Sequence, residues 1–279
     1  MHARTWQANR YVYPVVSRRS KGISLGINLN PDKACNFDCI YCSVDRTTDA
    51  GAALPREIDL GILREELSEM LEVARSGRLY AFDPFDNIPE ALRRINDIAF
   101  SGDGEPTTCP QFDEAVKLAA ELAGSFAESI KLVLITNATM LQKPAVRETL
   151  AFLDGHNGEI WAKLDAGTEP YYHLVDRTHF PFERVLENLL WCCQTRPTVI
   201  QSLFMRIHGA APVPEEITAY VQRLSAIGRA GGRLKLVQLY TVARRPAELY
   251  CTPLTAAELA FIAQDLGAAL PGVPVEIYP

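Results

Sequence analysis

Apolar positions along the chain fall into alternating blocks of strand and helix spacing. Residues 24–30 (SLGINLN) predict a strand that runs into a cysteine-rich loop. Between Ile58 and Arg75, the residues Ile62, Leu63, Leu67, Met70 and Leu71 recur at the three- and four-residue intervals of an amphipathic helix. Residues 98–101 form a short apolar run that stops at the turn-rich SGDGEP. A helix is predicted over 112–122. Residues 130–135 (IKLVLI) are nearly all apolar, as a strand buried on both faces should be. Proline suits a first helical turn, so a helix is expected after Pro144. Strands at 160–164, 199–207 and 234–240 then alternate with helices at 182–193, 215–227 and 256–266. A short strand is expected at 273–278.

Six strands alternating with helices imply parallel β/α units. From the second strand onward they start about every 30–40 residues, the length of a βαβ unit. Periodicity leaves three forms open: a doubly wound sheet, a full barrel and a partial barrel. Residues 77–89, with Pro84 and Pro89 around two aspartates, read as a surface insertion. No linker divides the chain.

Composition supports a globular reading: 279 residues, 48% hydrophobic and 22% charged. No apolar run approaches the roughly 20 residues that cross a bilayer. The first residues lack the apolar core of a secretory signal. A cytoplasmic protein without a membrane partner is expected. The net charge of −6 argues against a strong nonspecific nucleic-acid binder. Arg4, Arg10, Arg18, Arg19 and Lys21 give the first 21 residues a basic bias, read here as a solvated tail.

There are seven cysteines, and an odd count in such a chain does not suggest a disulfide framework. Three fall together as Cys35-Asn36-Phe37-Asp38-Cys39-Ile40-Tyr41-Cys42, a C-x3-C-x2-C pattern. Three thiolates are too few to close a structural zinc site, and no distant cysteine is indicated as a fourth ligand. A four-iron cubane normally takes four thiolates, so a three-cysteine site leaves one iron open. An open position is what a metal centre needs to bind a reactant. Cys109, Cys192, Cys193 and Cys251 are scattered. The adjacent pair on a helix would point in different directions, and no second centre is expected.

The motif, with an aromatic just before its last cysteine, resembles the signature of the radical S-adenosylmethionine (SAM) superfamily. The wider segment GINLNPDKACNFDCIYCSVDR is similar to the branch of iron–sulfur oxidoreductases that includes wyosine-type synthases. The resemblance spans about 22–245. It implies an α/β fold, a partial (β/α)6 barrel with short N-terminal and C-terminal extensions. Residues 1–21 would be the first extension, 22–245 the core, and 246–279 a helix and strand completing the same domain. It also implies that Cys35, Cys39 and Cys42 ligate a [4Fe-4S] cluster and that SAM chelates the fourth iron. Reductive cleavage of SAM would yield a 5′-deoxyadenosyl radical that abstracts hydrogen from a substrate. A one-electron reductant such as flavodoxin or ferredoxin is the implied partner. Wyosine-type synthases carry a further cysteine set before the core, whereas residues 1–34 here contain none.

The resemblance also assigns SAM contacts. Tyr41 would lie beside the adenine. Gly102, Asp103, Gly104 and Glu105 occupy the place of the family's glycine-glycine-glutamate element, with Asp103 a departure from the plainer pattern. Asn137 either faces the site or caps its turn. Lys163 and Asp165 share a strand face and suit the ribose or carboxylate, or simply pair with each other. Ser202 and Arg206 have even spacing on the fifth strand, and Arg206 suits a carboxylate. Gln238 and Thr241 on the sixth strand would pass along the adenine. The substrate stays open between RNA, a protein (as in a glycyl-radical activase), a peptide and a small molecule. A non-enzymatic iron–sulfur or zinc module is the remaining alternative.

Overall fold

The computed structural model describes residues 6–46, 55–126 and 129–279. Six parallel strands form its centre: β2 (Gly22–Ile27), β3 (Ile95–Phe100), β4 (Lys131–Thr136), β5 (Gly158–Lys163), β6 (Thr198–Leu203) and β8 (Leu234–Tyr240). They neighbour one another in that order, with β10 (Val275–Tyr278) parallel beyond β8 and β1 (Val12–Ser17) antiparallel beside β2. The sheet curls into a half-barrel. Helices α1 (Leu60–Arg75), α2 (Phe112–Gly124), α3 (Pro144–Asp154), α5 (Phe182–Thr195), α6 (Pro214–Arg229) and α7 (Ala256–Ala269) complete the β/α units; α4 (Glu169–Asp176) is an added short helix. No helix among the described residues is long and apolar enough to cross a membrane.

Strand alternation sorts the side chains onto the two faces of the sheet. Leu25, Ile27, Ile98, Phe100, Leu132, Leu134, Ile160 and Ile200 point outward into one large core with the helices. The opposite parity, Ala99, Val133, Trp161 and Val199, forms a smaller apolar layer inside the barrel. Toward the strands' C-terminal ends the inward positions turn polar, which is where barrel sites sit.

Residues 10–21 are not a solvated tail. Glu66 on α1 is buried, and its carboxylate accepts the backbone N–H of Arg10 (2.7 Å), Tyr11 (2.9 Å) and Val12 (3.1 Å). That fixes the entry into β1, whose Pro14 is tolerable on an edge strand. Glu66→Ala strands three donors, and each bond to a charged group is worth about 1.5–3 kcal/mol. We expect a loss of about 2–4 kcal/mol in urea unfolding, with faster amide exchange at 10–12 than in the central strands. Arg4 lies outside the described residues.

The β1–β2 turn reaches across to the far edge of the sheet. Arg18 donates to the Pro279 carbonyl at 3.0 Å, and Lys21 pairs with Glu276 at 3.2 Å. Between them the Arg19 guanidinium faces the rings of Tyr240 (5.0 Å) and Trp161 (5.9 Å) inside the barrel. Arg18 and Lys21 therefore bridge the two sheet edges.

Two further expectations are corrected. Residues 77–89 are not simply a surface insertion, because Leu79, Phe85 and Ile88 are buried in the main core. The strand expected over 199–207 breaks after Leu203, and β7 (Met205–Ile207) leaves the barrel to pair with β9 (Cys251–Pro253).

Candidate functional site

Cys35, Cys39 and Cys42 line one cleft of about 400 Å³ at the C-terminal mouth of the barrel. Their loop leaves β2 and is pinned on several sides. Asp38 and Ile40 donate backbone N–H groups to the carbonyls of Asp176 (3.1 Å) and Val175 (2.9 Å) at the end of α4. Ala247 and Glu248 donate to the carbonyls of Cys42 and Ile40. Ile40 itself is buried with Val175, Leu203, Met205 and Cys251. The loop is thus a preformed scaffold rather than a loose turn.

Burial pushes the Cys35 thiol up to about 11 and the Cys39 thiol well above the usual thiol range, where the nearby Asp176 carboxylate adds to the rise. Both groups carry protons at neutral pH until a metal displaces them. Among the described residues, no three His, Cys, Asp or Glu side chains are placed to hold a single ion. A cubane makes a different demand, since each thiolate meets its own iron. Three thiols around one cleft fit that donor set.

The turn after β3 packs directly on this loop. A Cβ on Gly102 would collide with Asn28, and one on Gly104 with the Ala34 carbonyl and Asn30. Glycine is required here by close approach, with no unusual backbone angle. Asn28 accepts from the Asp103 N–H (3.0 Å) and donates to its carboxylate (2.7 Å). Glu105 is buried, and its carboxylate staples the ends of β3 and β4. Oε1 accepts from the Thr107 (2.5 Å) and Thr136 (2.6 Å) hydroxyls, and Oε2 from the Asn137 N–H (2.7 Å). Oε2 keeps room for one more donor. Asn137 does cap its turn, accepting from the Thr139 hydroxyl at 2.8 Å, and also donates to Asn36 of the cysteine loop at 2.7 Å.

Beside Cys39 lies a charged network. The Lys163 ammonium sits 3.1 Å from Asp165 and 2.6 Å from the Tyr240 hydroxyl. The Tyr41 hydroxyl donates to Asp165 at 2.5 Å, with Asp176 at 3.3 Å. The Cys39 thiol also donates to Asp176 at 3.3 Å. Burial first, and then the Asp165 charge, raise the Asp176 carboxyl to about 8, against the pull of Lys163. Asp165 accepts the Leu203 N–H at 2.7 Å, so it lies beneath Tyr41 rather than on the cleft wall.

Several expected contacts fall elsewhere. Ser202 points out of the barrel and hydrogen-bonds the Tyr220 hydroxyl of α6 at 2.7 Å. Its neighbour Gln201 faces the cleft instead, and its buried Oε1 has no partner. Arg206 follows the break after Leu203, so the strand alternation no longer applies to it. It pairs with Glu258 at 2.5 Å, away from the cleft. Gln238 faces inward but lines a second cavity at the opposite end of the barrel, accepting from Gln201 at 2.7 Å. Thr241 lines the cleft while its hydroxyl accepts the Leu254 N–H at 2.8 Å. Sequence reasoning missed Arg46, Asn28, Asn36, Asp176 and Gln201. Only Arg46 carried a local signal, being a cation four residues past the last cysteine.

The sequence model of the radical SAM superfamily matches residues 29–227. The chain is 28% identical over 186 residues to a protein named GTPase Obg from Brachyspira hyodysenteriae, covering 66% of this chain and 23% of that one. It is 27% identical over 184 residues to a UPF0026 protein of Methanocaldococcus jannaschii, covering 63% and 47%. It therefore spans about half or less of those relatives' lengths. Among solved structures, TYW1 with a lysine-pyruvate adduct bound is similar with a TM-score of 0.57 and 17% identity, covering 89% of this chain and 74% of that one. A radical SAM methyltransferase from Sphaerobacter thermophilus is similar with a TM-score of 0.62 and 14% identity, covering 96% and 68%. These two likenesses show a shared fold. The family match covers well over half of the sequence and includes all three clustered cysteines, and on that ground the chain belongs to the radical SAM superfamily.

Proposed function

We propose that this protein is an enzyme that holds one [4Fe-4S] cluster on Cys35, Cys39 and Cys42 and cleaves SAM reductively. The observation that carries this reading is the convergence of three thiols on a cleft walled by a glycine turn and by Lys163, which a buried carboxylate backs from beneath. Bound there, the cluster would supply the electron that breaks the SAM sulfonium bond and starts radical chemistry on a substrate.

The chain's own residues have definable tasks. Gly102 and Gly104 bring the turn's backbone against the cysteine loop, where Asp103 and the open side of Glu105 face the cleft. A carboxylate oxygen with spare capacity suits the SAM ammonium. The partnerless Gln201 Oε1 suits a donor on the same ligand. Lys163 offers a cation to the SAM carboxylate while Asp165 fixes the Tyr41 hydroxyl and hence its ring. Arg18 and Lys21 are engaged along the sheet edges and Arg19 stacks on Tyr240 inside the barrel, so none of the three is a free cation of a solvated tail.

The test is anaerobic reconstitution followed by reduction. About four irons per chain are expected, and dithionite plus SAM should release 5′-deoxyadenosine. A protein that loads no iron, or that loads it and yields no product under strong reduction, would overturn the reading.

A further inference from the structure

Among the described residues, Arg46 makes three hydrogen bonds in three directions. One terminal nitrogen donates to the Cys42 sulfur at 3.1 Å, and the other to the Asp103 carbonyl at 2.9 Å. Nε donates to the Lys33 carbonyl at 3.1 Å. All three go to sulfur or to backbone carbonyls, and none to a carboxylate. The guanidinium is half-buried and lines the same cleft as the cysteines. The two carbonyls belong to segments flanking the site: Lys33 precedes the first cysteine, and Asp103 sits in the glycine turn.

We propose that Arg46 is a positioning residue that sets the reduction potential of the cluster through the Cys42 sulfur. The inference rests on the cluster reading above. Reduction adds one electron, delivered by the external reductant, and leaves the cluster one unit more negative. The guanidinium is permanently charged, so no proton moves with that electron. A cation donating to a ligand sulfur stabilises the more negative state and raises the potential. The fork does more than a point charge, because its other arm fixes the turn that faces SAM. Potential and SAM pocket are thereby tied to one side chain.

The experiment is a dithionite redox titration of reconstituted protein, followed by the electron paramagnetic resonance signal of the reduced cluster. Wild type is compared with Arg46→Met, Arg46→Gln and Arg46→Lys, each measured with and without SAM. At the potential that half-reduces wild type, Arg46→Met should show a reduced-to-oxidised ratio about tenfold lower, which is about 59 mV for a one-electron couple. Arg46→Lys keeps the charge and should fall between the two. If the variants hold full iron at an unchanged midpoint, Arg46 only braces the loop and the proposal is overturned. Loss of iron from all three variants, the lysine included, overturns it in favour of a scaffold role. A wild-type protein with no reducible cluster fails the underlying reading instead, and iron content distinguishes the two failures.

Discussion

Cys39→Ala should reduce iron loading from about four per chain to near background and abolish 5′-deoxyadenosine formation. Cys39 is the central cysteine of the motif, and its thiol donates to Asp176 at 3.3 Å beside the Tyr41 hydroxyl. The loop around it is held by other groups: the Ile40 N–H on Val175, the Cys42 N–H on the Cys39 carbonyl, and the buried Ile40 side chain. Removing one sulfur therefore takes away a proposed ligand and leaves the scaffold standing. Circular dichroism and the melting temperature of the metal-free protein should change little. Cys251→Ala is the matched control, because that buried thiol packs among apolar side chains, with the Ile40 carbonyl at 3.7 Å, and behaves as a small apolar side chain. It should retain iron and product. Equal iron in both variants would remove Cys39 from the ligand set.

Lys163→Met should destabilise the metal-free protein by about 3–5 kcal/mol, the cost of breaking a buried ion pair from one side. Lys163 and Asp165 have side-chain exposures of only 18% and 2%, and a second buried carboxylate, Asp176, lies beyond Tyr41. Without the ammonium, two carboxylates share a site with no cation. For a chain of this size the melting temperature should fall by about 10 °C. Adding Asp165→Asn should recover much of the loss, since the uncompensated charge is then gone. The effect should depend on pH in a set direction. Asp176 is raised in the folded state to about 8. Its contribution to stability is therefore complete below the ordinary carboxylate range and is lost as pH rises through about 8. Wild-type metal-free protein should melt higher at pH 5 than at pH 8 on this account, and the Lys163→Met deficit should be larger at pH 8. A deficit that is the same at both pH values would mean that Lys163 does not balance the buried carboxylates.

Elements whose pattern has one physical meaning were legible in the sequence. Residues 130–135 read as a doubly buried strand and form β4; the apolar stripe from Ile62 to Leu71 reads as a helix and forms α1. The three cysteines were legible because their spacing is local. Side-chain facing in the barrel was not. Gln201 and Ser202 are both fully buried, one inside the barrel and one against α6, and no alternation of polar and apolar residues separates them. Arg206 was misplaced because a strand that changes sheets after Leu203 keeps its β-like composition while losing its register. The partners of the cysteine loop were hidden by distance along the chain. Arg46 meets a carbonyl 57 residues away, and Cys39 meets a carboxylate 137 residues away.

The seam between β1 and β10 has a consequence for how the barrel is made and how it opens. Its two polar links join positions 261 and 255 residues apart in the sequence. Contacts that distant close only after the intervening β/α units have assembled, because the loop entropy must be overcome first. Both links are also exposed, and such surface contacts hold weakly and are weakened further by salt. The last joint to form is thus among the first to part. The barrel can gape along one side, as a clasp does, while its hydrogen-bonded strands stay paired.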